Sequence, residues 1–338
     1  MRDRFRRKLL AWYCAHRRDL PWRVNHDFYR VWISEIMLQQ TRVEAVIPYF
    51  ERFLTRFPDP ATLARAPESD VLAQWSGLGY YGRARNLHRA ARQIAAAGIP
   101  RTYSELAGLS GVGPYTAAAI GSIALDLPYA AVDGNVIRVI SRLLNDASEV
   151  SSPRVRERLA EEAQRLLDPV CPGDFNQAMM ELGATVCVPR NPLCGLCPVV
   201  EMCAARAAGR ERELPVKRGK PAPNEIELDL LVFTKKESVF LIQRAASEKR
   251  LAGFWELPCR DDLAKTPADP VWRFTHRIVN DRFRVRIWRA RRPPKTPVAG
   301  GKWFDRNEME RLPVTTVTRK ALRGWALKMF PDPAPPGL

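Results

Sequence analysis

Four cysteines near the middle of the chain have a spacing suited to holding a metal centre. They follow the pattern Cys-x6-Cys-x2-Cys-x5-Cys, at Cys187, Cys194, Cys197 and Cys203. Four thiolates at this range fit either tetrahedral zinc or a [4Fe–4S] cluster. Structural zinc usually uses two short ligand pairs and this segment has one, so the spacing favours the cluster and leaves zinc, or no metal at all, as the alternatives. The chain has 7 cysteines, and this odd number with one tight group argues against a secreted disulfide framework.

A glycine-rich turn lies between two predicted helices, in the sequence Leu109-Ser-Gly-Val-Gly-Pro-Tyr-Thr. Gly111 and Gly113 are separated by one apolar residue, which allows a tight hairpin with positive φ. The backbone N–H groups of such a hairpin, together with the N-terminus of a helix that starts at Pro114, can bind a DNA phosphate. An ordinary turn between two helices is the alternative.

The balance of charge points to a polyanionic partner. The 338 residues include 54 Lys or Arg and 37 Asp or Glu, a formal net charge of +17. Residues 271–302 hold ten of the basic residues and one acid, Asp281. Nucleic acid is the natural partner of such a surface, and a solvated basic surface is the alternative.

Composition also bounds the class of protein. A hydrophobic fraction of 46% permits a real core. No stretch approaches the ~18 apolar residues of a membrane span, and the basic N-terminus lacks the apolar region of a signal peptide. We therefore expect a cytoplasmic, nucleoid-associated monomer with no membrane partner.

A helical first half of the chain must position these residues. Asp27 predicts the cap of a helix that runs through Leu38, and capping boxes are predicted at positions 41–44 and 102–105. Further helices are predicted at 80–97, 114–125, 134–144, 153–167 and 174–182.

The character of the sequence changes after the cysteines. Positions 206–224 are charged and contain three prolines, which predicts a linker. Strands are predicted at 225–234, 239–243 and 282–288, and a closing helix at 318–329. The expected organisation is a helical domain over 1–205 that includes the cysteine loop (187–203), a linker over 206–224, and a smaller α+β domain over 225–330.

Several motifs in a fixed order resemble the helix-hairpin-helix DNA glycosylases that carry an iron–sulfur cluster. They are the glycine hairpin, the segment Val132-Asp-Gly-Asn-Val, and the four cysteines. Two further motifs, Trp32-Ile-Ser-Glu-Ile-Met-Leu-Gln-Gln-Thr and Gly77-Leu-Gly-Tyr-Tyr, resemble the MutY-type adenine DNA glycosylases. The resemblance implies an all-α helix-hairpin-helix glycosylase domain with a [4Fe–4S] cluster and double-stranded DNA as partner. The implied reaction is excision, in base-excision repair, of adenine mispaired with 8-oxoguanine or guanine.

Two carboxylates are the candidates for the chemistry. Glycosidic cleavage needs an acid for the leaving group and a negative charge beside the developing sugar cation. Glu35 lies among apolar residues, where desolvation would keep it protonated. The resemblance assigns the acid to Glu35 and the stabilising anion to Asp133, with Asn135 and Tyr115 in support. A surface glutamate and an ordinary helix cap at Asp133 are the alternatives.

Tyr115 also bears on the type of product. Related endonuclease III-like enzymes carry at this hairpin position a lysine that forms a Schiff base and cuts the strand. Tyrosine cannot form an imine. The sequence therefore predicts a monofunctional enzyme that leaves an abasic site.

A base inside a duplex must be flipped out before it can be excised. The resemblance places Leu38, Gln39 and Tyr80 at the lesion and its neighbours, and Gln40 can bind base edges. Single apolar side chains are more often core residues, and this is the alternative for Leu38 and Tyr80.

The last third of the chain resembles the C-terminal domain of the same glycosylases, which is related to Nudix folds. Gly253-Phe-Trp-Glu-Leu-Pro fits one element of that domain. The segment after it lacks the glutamates that hold Mg²⁺ in a Nudix hydrolase, so no pyrophosphatase is expected. Phe274, Thr275 and His276 look like the loop that senses 8-oxoguanine, with Thr275 in place of the usual serine. A histidine on a surface strand is the alternative for His276.

Three other functions remain open at this stage. One is a glycosylase of the same superfamily that removes thymine or uracil from a mismatch. Another is a DNA-binding scaffold without catalysis, which intact Glu35 and Asp133 argue against. The third is a nucleotide pyrophosphatase.

Overall fold

The computed structural model describes residues 2–219, 222–235, 237–245, 247–248, 251–259, 270–278, 280–289, 300–310 and 312–329. The chain forms two compact units. The first contains residues 1–66 and 82–219, and the second contains residues 67–81 and 220–338. Among the described residues, no helix is long and apolar enough to cross a membrane.

The described chain up to residue 219 is helical. Its helices are α1 (Arg2–His16), α2 (Phe28–Leu38), α3 (Val43–Arg56), α4 (Pro60–Arg65), α5 (Glu68–Trp75), α6 (Tyr81–Ala97), α7 (Tyr103–Ala107), α8 (Pro114–Leu125), α9 (Gly134–Leu143), α10 (Pro153–Leu166), α11 (Pro172–Thr185) and α12 (Ala204–Ala207). Short 3₁₀ turns lie at Pro21–Arg23, Cys194–Leu196 and Val200–Met202.

Local signals set several of these boundaries. The Asp27 side chain accepts a hydrogen bond from the Arg30 N–H and caps α2. The predicted capping box at Thr102 and Glu105 is present in both directions. The one predicted at positions 41–44 is wrong, because α3 begins after Arg42 without a side-chain cap. There the Thr41 hydroxyl is hydrogen-bonded to the Gln39 carbonyl and to Arg83 instead.

A continuous core joins the N-terminal helix to the later helices of the first unit. Phe5, Leu9 and Tyr13 of α1 are buried against residues of α9, α10 and α11. The approach of α9 to α11 is close, because a Cβ on Gly183 would lie 2.6 Å from the Asn135 Cβ. This packing fixes α9 and α11, the two helices that carry most of the polar groups described below.

The segment predicted as a linker is partly packed. Leu214 is buried, its carbonyl accepts a hydrogen bond from Arg142, and the Val150 N–H donates to the Val216 carbonyl. Residues 206–216 therefore lie on the helical unit rather than spanning free between two domains.

The C-terminal region is α+β, as the sequence predicts. Its elements are β1 (Asn224–Val232), β2 (Thr234–Lys235), β3 (Ser238–Gln243), β4 (Trp255–Glu256), β5 (Trp272–Ile278), β6 (Asp281–Arg289), β7 (Gly301–Phe304), α13 (Arg306–Glu310) and α14 (Thr316–Met329). One sheet has the order β1-β6-β5, with β1 parallel and β5 antiparallel to β6. In the other sheet, β3 pairs with β2, β4 and β7.

The Gly253–Pro258 element has a structural place in this region. Gly253 has a φ of 77°, and Phe254 and Trp255 are buried. Glu256 accepts two hydrogen bonds from Arg244, at 2.8 and 2.9 Å. The segment on which the pyrophosphatase interpretation depends, residues 260–267, lies outside the described residues.

Candidate active site

A cavity of about 210 Å³ opens in the helical unit and collects the predicted catalytic residues. This is several times the ~30 Å³ that one water occupies in the liquid. Glu35 of α2, Tyr115 of α8, and Asp133 and Asn135 at the start of α9 all line it. The cavity therefore brings together residues that are up to 100 positions apart in the chain.

Glu35 is placed as a buried acid. Its side chain is 7% exposed, on a helix in which nine of eleven residues are buried. Burial raises the pKa of Glu35 to about 7; the nearby Asp133 charge also raises it, and a hydrogen bond from Tyr115 opposes the shift. A carboxylic acid with this pKa carries a proton through much of the neutral range and can donate it.

Tyr115 and Asp133 complete the polar wall around this acid. The Tyr115 hydroxyl lies 3.2 Å from Glu35 Oε2 and 3.2 Å from the Met180 sulfur. Asp133 caps α9 through Oδ1, which accepts from the N–H groups of Asn135 and Val136, both at 2.8 Å. Asp133 Oδ2 accepts from the Asn135 side-chain amide at 2.7 Å. Three N–H donors therefore fix the orientation of the Asp133 carboxyl at the N-terminus of α9.

A third carboxyl in the cavity was missed by the sequence reasoning. Glu181 of α11 is 1% exposed and accepts hydrogen bonds from the Arg18 and Arg23 guanidinium groups at 2.7 to 3.0 Å. Burial opposes its ionisation, but the hydrogen bonds from Arg18 and Arg23 outweigh burial and lower the pKa of Glu181 to about 2. The cavity thus holds two buried carboxyls, Glu35 and Glu181, whose surroundings shift their pKa values in opposite directions.

A chain of hydrogen bonds links Asp133 to the cysteine loop. Asn135, which donates to Asp133, accepts at its Oδ1 from Arg138 at 2.7 Å. Arg138 in turn donates from Nε to the Cys187 carbonyl at 2.8 Å. Arg142, one turn later and 1% exposed, donates to Cys187 Sγ at 3.2 Å. The orientation of the Asp133 side chain therefore depends on the loop that carries the cysteines.

The four cysteines fit an iron–sulfur cluster better than a single metal ion. Cys187, Cys194, Cys197 and Cys203 line one small cavity with Arg142 and Arg206. Within the described residues, no group of three or more His, Cys, Asp or Glu side chains could hold one metal ion. Zinc needs four donors that converge on one point, whereas a cluster spreads its thiolates around a larger body. Burial raises the pKa of the Cys197 thiol to about 11, so cluster binding must displace its proton.

Of the two glycines in the hairpin, one has the predicted positive φ and the other does not. Gly111 has a φ of 82°, and a Cβ there would lie 2.7 Å from the Asn86 Cβ. Gly113 is extended rather than left-handed, with a φ of −92°, and it occupies the N-cap of α8. Both glycines are exposed, so the turn before α8 is open to an anion from solvent.

The predicted base-flipping residues lie in two places. Leu38 lines the cavity that holds Glu35. Gln39 donates to the Thr116 hydroxyl at 3.1 Å, and Gln40 is exposed with a φ of 56°. Tyr80 belongs to residues 67–81, the shorter of the two segments of the second unit. Its exposure is 47% and its φ is 50°.

The predicted lesion-sensing residues lie in a strand, β5, and not in a loop. Phe274 packs against the core of the second unit, whereas Thr275 is exposed, because successive side chains of a strand point to opposite faces. Lys320 Nζ lies 3.2 Å from His276 Nδ1. Burial, with the Lys320 charge, lowers the pKa of His276. An open depression of about 460 Å³ is lined by Thr275 and its neighbours Arg273, Arg284 and Arg286.

Two family models match the chain. Residues 33–165 match the HhH-GPD superfamily base excision DNA repair protein, and residues 187–203 match the iron-sulfur binding domain of endonuclease III. The second match begins and ends on the first and last of the four cysteines. It agrees with the donor arrangement in assigning an iron–sulfur cluster to this loop.

Solved structures share the fold of the helical unit. A thermostable thymine-DNA glycosylase is 28% identical with a TM-score of 0.56, and the match covers 61% of this chain and 97% of that one. A non-covalent endonuclease III–DNA complex has a TM-score of 0.51 at 20% identity, covering 63% of this chain and 97% of that one.

Curated relatives extend the similarity to most of the chain. The adenine DNA glycosylase of Rattus norvegicus is 34% identical over 94% of this chain and 77% of that protein. That of Schizosaccharomyces pombe is 36% identical over 76% of this chain and 69% of that protein. The Homo sapiens enzyme is 46% identical over 62% of this chain, which is 41% of that protein. This chain belongs to the adenine DNA glycosylases of base-excision repair.

Proposed function

We propose that the enzyme removes adenine paired with 8-oxoguanine or guanine and leaves an abasic site in an intact strand. The observation that carries the reaction is the meeting of Glu35 and Asp133 at one cavity. A buried acid and a capped carboxylate supply the two roles that glycosidic cleavage requires.

The bond that breaks joins the sugar C1′ to the adenine ring nitrogen. Its electron pair leaves with the base, and Glu35 transfers its proton to a second ring nitrogen so that neutral adenine departs. The Asp133 carboxylate faces the developing positive charge of the sugar, and Asn135 holds this carboxylate in orientation. A water molecule then adds to C1′ and loses a proton, which completes the hydrolysis. Cys187, Cys194, Cys197 and Cys203 would hold the cluster, which would give structure to the loop whose Cys187 accepts from Arg138 and Arg142.

Adenine is selected by the second buried carboxyl. Glu181 is held ionised by Arg18 and Arg23. Its two oxygens accept four hydrogen bonds from the Arg18 backbone and the two guanidinium groups, so the exocyclic amine of adenine takes the place of one of these donors when the base enters. Thymine and uracil carry carbonyl oxygens where adenine carries that amine, so they would face Glu181 with like polarity. Trp22, on the wall of the same cavity, offers a flat apolar surface to a base.

Recognition of the opposite base is assigned to the second unit. Thr275 is exposed on β5 between Arg273 and Arg277, and it pairs across the strands with Arg284. A hydroxyl can donate to and accept from the edge of 8-oxoguanine, and the arginines around it can bind phosphate. Phe274, packed into the core, fixes the position of the strand from behind.

Duplexes that differ only in the opposite base test the proposal. We expect excision of adenine opposite 8-oxoguanine and opposite guanine, and none opposite thymine. The product strand should break only after alkali, because Tyr115 has no amine to form an imine. A thymine–guanine duplex tests the alternative base. Breakage without alkali at the rate of base loss would contradict the monofunctional assignment, and excision of thymine alone would contradict the assigned base.

Substitution of Thr275 tests the assignment of lesion recognition. Thr275→Val keeps the shape and removes the hydroxyl, so we expect about a tenfold loss in kcat/KM for adenine opposite 8-oxoguanine. The rate opposite guanine should stay within twofold or so of wild type, since guanine lacks the 8-oxo group. Thr275→Ser should retain the preference. Equal losses on both substrates would show that Thr275 acts on stability or general DNA binding.

A further inference from the structure

One arginine of α6 gathers the carbonyl groups at the end of the helix that carries Glu35. Arg83 Nη1 donates to the Ile36 carbonyl at 3.0 Å and to the Met37 carbonyl at 2.8 Å. The same nitrogen also donates to the Gln39 carbonyl. Arg83 Nη2 donates to the Thr41 hydroxyl at 3.0 Å. A single guanidinium therefore contacts the backbone or side chain of four residues between positions 36 and 41.

These carbonyls are the groups that a helix end leaves without partners. Helix α2 ends at Leu38. The C=O groups of its last turn therefore receive no hydrogen bond from within the helix, because no further turn supplies an N–H. A cation at this end also interacts favourably with the helix dipole. The guanidinium presents five N–H donors in one fixed plane, whereas the ammonium of lysine presents three on a single rotating atom.

The backbone that Arg83 holds is strained. Gln40 has a φ of 56°, in the left-handed region that side chains other than glycine rarely adopt. Such a conformation persists only where the surroundings determine it. Gln39 is held from its other side by the Thr116 hydroxyl of α8. Two helices thus fix the segment that leaves α2, while Gln40 itself remains exposed.

We propose that Arg83 is a positioning residue that presets the Leu38–Gln40 segment for insertion into the duplex when adenine is extruded. The inference rests on the proposed function and on the family resemblance, which implies that Leu38 and Gln39 lie at the lesion, with Gln40 next to them in the chain. A side chain can insert into a base stack only if its backbone is accurately placed. A displacement of about 1 Å can lower the rate of the reaction about 10²-fold. Arg83 acts on extrusion of the base, and Glu35 acts on the bond that breaks afterwards.

The test separates extrusion from chemistry in the full-length, cluster-loaded enzyme. A duplex with adenine opposite 8-oxoguanine carries 2-aminopurine next to the adenine, and its fluorescence rises when the neighbouring base leaves the stack.

Arg83→Met should lower both the fluorescence rise and the single-turnover rate, the rate by about 10²-fold. Arg83→Lys should lower both to a smaller extent. Glu35→Gln should retain the fluorescence rise and lose excision. Arg89→Met, on an exposed position of the same helix, is the matched control and should behave as wild type.

Thermal unfolding and the visible absorbance of the cluster check that each variant is folded. A wild-type fluorescence rise in Arg83→Met, or in Arg83→Lys if the methionine variant is unstable, would overturn the proposal. A loss of excision with an undiminished fluorescence rise would also overturn it, because Arg83 would then act on the chemical step. Failure of the wild-type enzyme to extrude or excise adenine would instead contradict the proposed function itself.

Discussion

Replacement of Glu35 by glutamine should abolish adenine excision while leaving the fold and DNA binding in place. Glutamine has nearly the same shape and can still accept the hydrogen bond from Tyr115, but it has no proton to transfer to the base. General acids contribute roughly 10² to 10⁴-fold to a rate, and the single-turnover rate should fall within or beyond that range. The measurement is release of adenine from a duplex with 8-oxoguanine opposite, together with the dissociation constant for the same duplex.

The matched control for this substitution is Glu44→Gln. Glu44 lies on α3 and is exposed, so loss of its charge should leave excision unchanged. Removal of a buried ionisable group should also not destabilise the protein at neutral pH, since the amide needs no proton to stay neutral. Excision by Glu35→Gln at more than about a tenth of the wild-type rate would contradict the role of Glu35 as the acid.

The second large effect is expected at Asp133, where capping and catalysis can be separated. Asparagine caps helices about as well as aspartate, and its oxygen can take over the acceptor role for the Asn135 and Val136 N–H groups. The new amide would meet the Asn135 amide, so one side-chain hydrogen bond is lost, at about 1 kcal/mol. The negative charge beside the sugar is also lost, and we expect the excision rate to fall about 10³-fold.

Asp59→Asn is the control, because Asp59 caps α4 through the Thr62 N–H in the same way. It should share a small change in thermal stability and show no change in excision. If Asp133→Asn lowered the melting temperature strongly and its excision rate recovered at lower temperature, the cap alone would explain Asp133, and its electrostatic role would be contradicted.

Features that depend on residues close together in the chain were predicted well from the sequence. The cap at Asp27, the capping box at Thr102, the start of α8 at Pro114 and the four cysteines depend on short-range rules. Glu35 was predicted to have a raised pKa because its own helix is apolar, and the cavity bears this out. The exception is the box at positions 41–44, where Arg83 of a distant helix bonds the Thr41 hydroxyl.

Residues that act through distant partners were not predictable in this way. Glu181 lies in α11 without any motif around it, and its partners Arg18 and Arg23 are about 160 positions earlier. Arg83 is one arginine among several in α6, and only the tertiary structure shows which carbonyls it meets. The alternating sequence around Thr275 fits a strand, and the loop expected from the resemblance was the wrong prediction there.

The most direct test of the account is the pH dependence of single-turnover excision from a duplex with adenine opposite 8-oxoguanine. Glu35 must be protonated to act and burial raises its pKa to about 7, so activity requires the form that is lost as pH rises. We expect a constant rate on the acidic side of that value and about a tenfold fall for each pH unit above it, with the fall absent from the residual rate of Glu35→Gln. A wild-type rate that stayed constant or rose from about pH 6 to about pH 9 would contradict the assignment of Glu35 as the acid.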